Sequence, residues 1–122
     1  MISSLVASAN DAVSPNVHPV LQQSLPPVSL DGWNATAVEV SYPPGGASKP
    51  HRHPGFVLGY VLEGEVRFQL KGEKEVTYRA GQMFYEPPGS VHMVSSNAGP
   101  AEPAKLLAIV FSEKGSPVTI PL

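Results

Sequence analysis

Residues 45–64 read GGASKPHRHPGFVLGYVLEG. Two imidazoles, His51 and His53, stand between a glycine- and proline-rich turn and the apolar run Phe56 to Leu62. Side chains alternate on an extended backbone, so His51 and His53 share one face and Arg52 takes the other. If the apolar run is a strand burying its residues, the histidines at its mouth point inward. Buried imidazole nitrogens are costly without partners. A divalent metal is an efficient partner, since neutral imidazole suits Fe, Ni, Cu and Zn. His-x-His alone is a weak signal, because the pattern is common on ordinary surfaces.

Strand signals extend in both directions from this stretch. Upstream, Ala35 to Ser41 alternates and is closed by Pro43-Pro44-Gly45-Gly46. Downstream, Glu65 to Leu70 sets Val66, Phe68 and Leu70 against Glu65, Arg67 and Gln69, the pattern of a half-buried strand. Lys71-Gly72-Glu73 turns the chain into Glu75 to Arg79. Ala80-Gly81 then leads to Gln82 to Glu86 and the stiff turn Pro87-Pro88-Gly89. His92 to Ser95 and Leu106 to Phe111 supply the last strands, and no helical periodicity is present. About eight short strands separated by turns predict an all-β sandwich or barrel. Phe56, Tyr60 and Phe84 are expected in the core, and Tyr85 and Glu86 at a cavity mouth or in ordinary surface or strand-packing roles.

The composition agrees. The chain has 122 residues, enough for one domain. Its 11 glycines and 14 prolines make up about one residue in five, well above the usual proteome level. The formal net charge is −2 with Lys and Arg scattered singly, so a nucleic-acid partner is not expected. The absence of cysteine excludes disulfides, thiolate zinc sites and a nucleophilic thiol. No apolar stretch is long enough for a membrane helix. No secretory leader is evident, which makes a cytoplasmic location the expectation. Residues 1–34 look like an extended arm with a possible edge strand near Val28 to Leu30, and His18 in it reads as structural. Residues 35–122 are expected to form the domain.

His92 adds to the histidine pair. A second glycine–proline turn presents it at a second strand start, so His51, His53 and His92 make a plausible three-nitrogen site with positions left for water or substrate. At this point the chain resembles the cupins. Gly45, five residues, His51-Arg52-His53 and finally Gly64 follow the first cupin motif. Gly81, Pro87, Gly89 and His92 follow the second, with Asn97 arriving one residue late behind Ser96. The resemblance implies a cupin-type jelly-roll β-barrel and a homodimer. It also implies one divalent transition metal ion (Fe, Ni, Zn, Mn or Cu) and a small-molecule substrate.

One position departs from the pattern. The family's metal-binding glutamate belongs at position 57, which is Val57, with Leu58 at the alternative spacing. Relatives with three-histidine iron sites exist, some of them dioxygenases, so the resemblance still implies metal binding. Glu86 or Gln69 could approach from a neighbouring strand, although parity puts Gln69 on the outer face. With no general base evident beside the histidines, metal-centred, dioxygenase-like chemistry is favoured over acid–base isomerisation. The alternative is a non-catalytic small-molecule or metal-binding module.

Overall fold

The computed structural model describes residues 14–122. Within them lie nine strands and no helix. They are β1 (Trp33–Tyr42), β2 (His51–Arg52), β3 (Phe56–Glu63), β4 (Glu65–Leu70) and β5 (Val76–Arg79), followed by β6 (Met83–Glu86), β7 (Val91–Asn97), β8 (Ala104–Glu113) and β9 (Ile120–Pro121). One sheet has the order β1-β8-β3-β6 and the other β5-β4-β7-β2-β9. Every pairing is antiparallel. The jelly-roll expectation is met.

Sequence alternation fixes which faces meet. On the first sheet, rows run Val38–Ala108–Gly59–Phe84 and Val40–Leu106–Val61. On the second, Val66, Phe68 and Leu70 of β4 are all buried. Tyr42, Val61, Val66, Phe68, Leu70, Phe84, Ala104 and Leu106 form one core cluster between the sheets. Burying each of the larger side chains contributes about 1.5–3 kcal/mol. Phe56 is fully buried on the other face of the first sheet, stacked on Phe111 at 4.7 Å. Tyr60 also takes that outer face, in register with Leu107 and Met83. Of the three aromatics expected in the core, Phe84 is buried between the sheets and Phe56 is fully buried on the other face, while Tyr60 is only partly buried.

The arm differs from expectation in one respect. Val28 to Leu30 forms no strand, and Val28 and Leu30 are exposed. Pro26 and Pro27 precede them and carry no N–H to give a ladder. The amide of Val28 instead closes a tight turn onto the Pro26 carbonyl at 2.8 Å. His18, with Pro19 and Val20, faces a surface cleft shared with Val76–Tyr78 and Gly81–Met83. The first part of the described arm therefore lies along its own domain. No helix among the described residues is long and apolar enough to cross a membrane.

A bulge interrupts β7 next to the second histidine motif. Leu70 pairs with His92, but Gln69 pairs with Val94, which leaves Met93 without a partner. Met93 is exposed. The extra residue reverses the alternation, so His92, Ser95 and Asn97 all turn inward and are buried. Inserted at this point, one residue explains why Asn97 comes late in the motif yet keeps its place. Its amide donates to the carbonyls of Tyr42 (3.2 Å) and Glu102 (2.7 Å) and accepts from the Gly99 N–H. Asn97 thus ties the end of β1 to the loop before β8.

Candidate metal centre

The two histidine segments are stitched together by the backbone. β2 is only two residues long, yet it sits between β7 and β9, with His51 directly opposite His92. The turn 87–89 closes against it, the Gly89 N–H donating to the His53 carbonyl at 3.1 Å. Gly89 holds φ +71°, a conformation glycine takes without steric cost. The rings of His51 and His53 lie 5.0 Å apart between centroids, as do those of His51 and His92. All three face one cavity of about 80 Å³. A single water needs roughly 10–15 Å³ by this kind of measure, so the space holds a few waters or a small ligand.

Two of the histidines are held by backbone carbonyls and the third is not. His51 Nδ1 lies 2.7 Å from the Lys49 carbonyl and His53 Nδ1 lies 2.8 Å from the Val118 carbonyl. A carbonyl only accepts, so both Nδ1 atoms carry a proton, and in the neutral ring that leaves the lone pair on Nε2. Outer partners of this kind orient metal-ligating histidines and fix their tautomers. Burial lowers the His51 pKa; the Lys49 carbonyl opposes that shift, and neighbouring His92 and His53 add to it. The imidazole is thereby kept in the neutral form that binds metals. His92 is buried against Phe68 and Phe84, and its Nε2 has no hydrogen-bond partner.

The cavity also holds a carboxylate. Glu86 is buried, with Oε1 3.3 Å from His92 Nδ1 and 4.0 Å from His53 Nε2. Oε1 has no hydrogen-bond partner. Position 57 lacks the carboxylate, but the cavity does not: of the roles open to Glu86, burial removes the surface one and leaves it on the cavity wall beside the histidines. The premise that no titratable base stands near the histidines falls with it. Gln69 lies on the outer face as parity indicated, donating to the Glu73 carbonyl at 3.0 Å. His18 lines the separate surface cleft, and Arg52 is exposed. Sequence reasoning missed the hydroxyl group on the cavity wall, where Tyr42 Oη hydrogen-bonds Ser48 Oγ and Ser95 Oγ. The late Asn97 was the available signal, since an added residue in β7 turns Ser95 inward.

Do these residues suit a metal ion? Among the described residues no three His, Cys, Asp or Glu side chains are already closed to an ion-holding geometry. Binding would have to draw the donors in. Their chemistry nevertheless fits: two imidazoles have their Nε2 free by tautomer, and a third has a buried nitrogen without a partner. The unpartnered carboxylate oxygen beside them completes a set suited to a divalent transition ion.

Comparison with known proteins agrees with the fold and motifs. The chain is 34% identical over 102 residues to a germin-like protein, subfamily T member 3, from Arabidopsis thaliana. That match covers 77% of this chain and 44% of the relative, so the chain spans less than half the relative's length. A solved double-stranded β-helix domain protein from Klebsiella pneumoniae superposes with TM-score 0.62 at 20% identity, covering 100% of this chain and 95% of that one. A predicted oxalate decarboxylase from Thermotoga maritima superposes with TM-score 0.56 at 27% identity, over 75% of this chain and 70% of that one. The cupin domain model matches residues 38–110, from the middle of β1 to the inward-facing Val110 of β8. With both histidine motifs inside that span, the chain belongs to the cupin family.

Proposed function

We propose that this chain is a metal-dependent enzyme acting on a small oxygenated molecule, with His51, His53 and His92 holding one divalent transition metal ion. The observation that carries this reading is the convergence of three imidazoles on one cavity, two with Nδ1 committed to backbone carbonyls. When bound, the ion supplies Lewis-acid polarisation of a substrate oxygen, or electron transfer if it is redox-active.

The chain's own residues supply the rest. Val38, Val40, Leu106 and Ala108 give the cavity an apolar wall, which limits water around the substrate. The linked hydroxyls of Tyr42, Ser48 and Ser95 offer donors and acceptors to a substrate oxygen on another part of the wall. The modest cavity favours a ligand of few heavy atoms. The decarboxylase named among the similar structures adds a small carboxylic acid as substrate class. Dioxygenase-like oxidation of a chelating enol is the corresponding reading for an iron- or copper-loaded protein.

The test begins with metal analysis of protein purified without a histidine tag, expected to give about one transition ion per chain. Loaded protein is then assayed for oxygen uptake with small enols and for CO2 release from small dicarboxylates. Turnover in either assay supports the enzyme. Tight ligand binding without turnover makes it a binding module, and absence of metal uptake removes the centre altogether.

A homodimer belongs to the same proposal. The outward face of the first sheet carries Leu58, Tyr60, Met83, Leu107, Ile109 and Phe111 in adjacent rows. Such a face on a small domain is suited to covering by a second copy. Light scattering is expected to give twice the 12.9 kDa chain mass, and Ile109→Glu to halve it. A 12.9 kDa species of the unaltered protein at micromolar concentration would refute the dimer.

A further inference from the structure

We infer that Glu86 supplies, from β6, the metal-binding carboxylate that Val57 does not supply from β3. This rests on the proposed three-histidine centre.

Val57 and Glu86 are directly opposed partners in the β3–β6 ladder. Opposed residues of an antiparallel pair point to the same face, with Cβ atoms about 4.5–5.5 Å apart. Val57 is fully buried and Glu86 nearly so. A glutamate moved across this pair therefore starts one strand away from the motif position and faces the same space. Its longer side chain can cover the difference.

The surroundings of the carboxylate argue for a cation. Glu86 Oε1 is buried without a hydrogen bond, a costly state for a charged oxygen. None of the three arginines pairs with it: Arg67 pairs with Glu75, Arg79 with Glu65, and Arg52 is exposed. Among the described residues, the ion-pair partners of Glu86 are His53 and His92, at 4.0 and 3.3 Å. Two atoms each about 2.0–2.2 Å from one ion lie at most about 4.4 Å apart. Both separations fall within that span, so with the donors drawn in Oε1 could share an ion with His53 through Nε2 and with His92 through Nδ1, the His92 nitrogen nearer to it. A carboxylate there also offsets part of the charge of a divalent ion held by neutral imidazoles.

The experiment uses Co(II) as the probe, with affinity measured by competition against a chromophoric chelator and coordination by visible absorption. Glu86→Gln is expected to weaken Co(II) binding tenfold or more and to change the absorption bands. The double variant Val57→Glu/Glu86→Gln returns the carboxylate to the motif strand, and is expected to recover most of the lost affinity. If Glu86→Gln does not fold, Glu86→Met, similar in length and uncharged, takes its place. Unchanged affinity and spectrum in the single variant would overturn the assignment. So would a weakened single variant with the wild-type spectrum, since that marks a distant charge rather than a ligand. Failure of the unaltered protein to take up Co(II) would instead defeat the three-histidine centre on which the inference stands.

Discussion

Alanine at His51, His53 or His92 is expected to lower metal affinity by about 100-fold or more in each case. Loss of an outer partner of a metal ligand already costs about 10–100-fold, and these side chains would be the ligands themselves. No other histidine can step in, because the remaining one, His18, lines a separate cleft beside β5 and the turn before β6. His18→Ala is therefore the matched control and should leave stoichiometry at the wild-type value. His92→Ala should also destabilise the metal-free protein, since the ring packs against Phe68 at 4.5 Å and faces Glu86. His51, partly exposed at the cavity, should show the metal defect with a smaller change in melting temperature. Stoichiometry measured by elemental analysis decides the matter. Unchanged values in His51→Ala and His92→Ala would show that the metal is held elsewhere.

Gly55→Ala is expected to be the most damaging addition of a single methyl group in the domain. A Cβ at Gly55 would lie 1.7 Å from the Phe111 carbonyl oxygen and 2.8 Å from its carbon. The obstacle is backbone of β8 where the β3–β8 ladder begins, so no rotamer change relieves it. Overpacking of this kind costs about 1–3 kcal/mol when side chains can move and more when they cannot. A loss of about 3 kcal/mol or more would lower the melting temperature by on the order of 10 °C in a domain this size. Gly55 also joins His53-Pro54 to β3, so any displacement of the strand start shifts the site. Gly72→Ala is the comparison: it has open space around it but holds φ +85°, and should cost only about 1–2 kcal/mol. Equal melting temperatures for the two variants would show that β3 can move aside freely.

Much of this architecture was legible because strand alternation carries burial directly. Glu65 to Leu70 matches β4 residue for residue, and Phe56 to Leu62 falls one short of β3. β2 and β9 were not legible, since two-residue strands have no period and exist only through pairing with β7 and each other. Parity put His51 and His53 on one face, and both line the same cavity. Glu86 was harder. It shares parity with Phe84, which was expected in the core, yet a lone carboxylate ordinarily marks a solvent face. Its burial becomes evident only through the β3–β6 register, which sets it opposite the valine that stands in the glutamate position. Local sequence cannot report that pairing. The outer-face aromatics show the converse limit: β3 and β8 are apolar on both sides, so composition alone could not assign Phe56 and Tyr60 to a layer.

The unpaired Met93 in β7 gives the second motif slack. Pairing is in phase on both sides of it, so a residue gained there leaves the asparagine anchor and the histidine facing the same interior. The count of residues between His92 and Asn97 is thus a poor gauge of whether such a site is intact. Chains that fail a fixed-spacing pattern at this point can still present the same arrangement of side chains, and the phase of the strand is the better criterion for finding them.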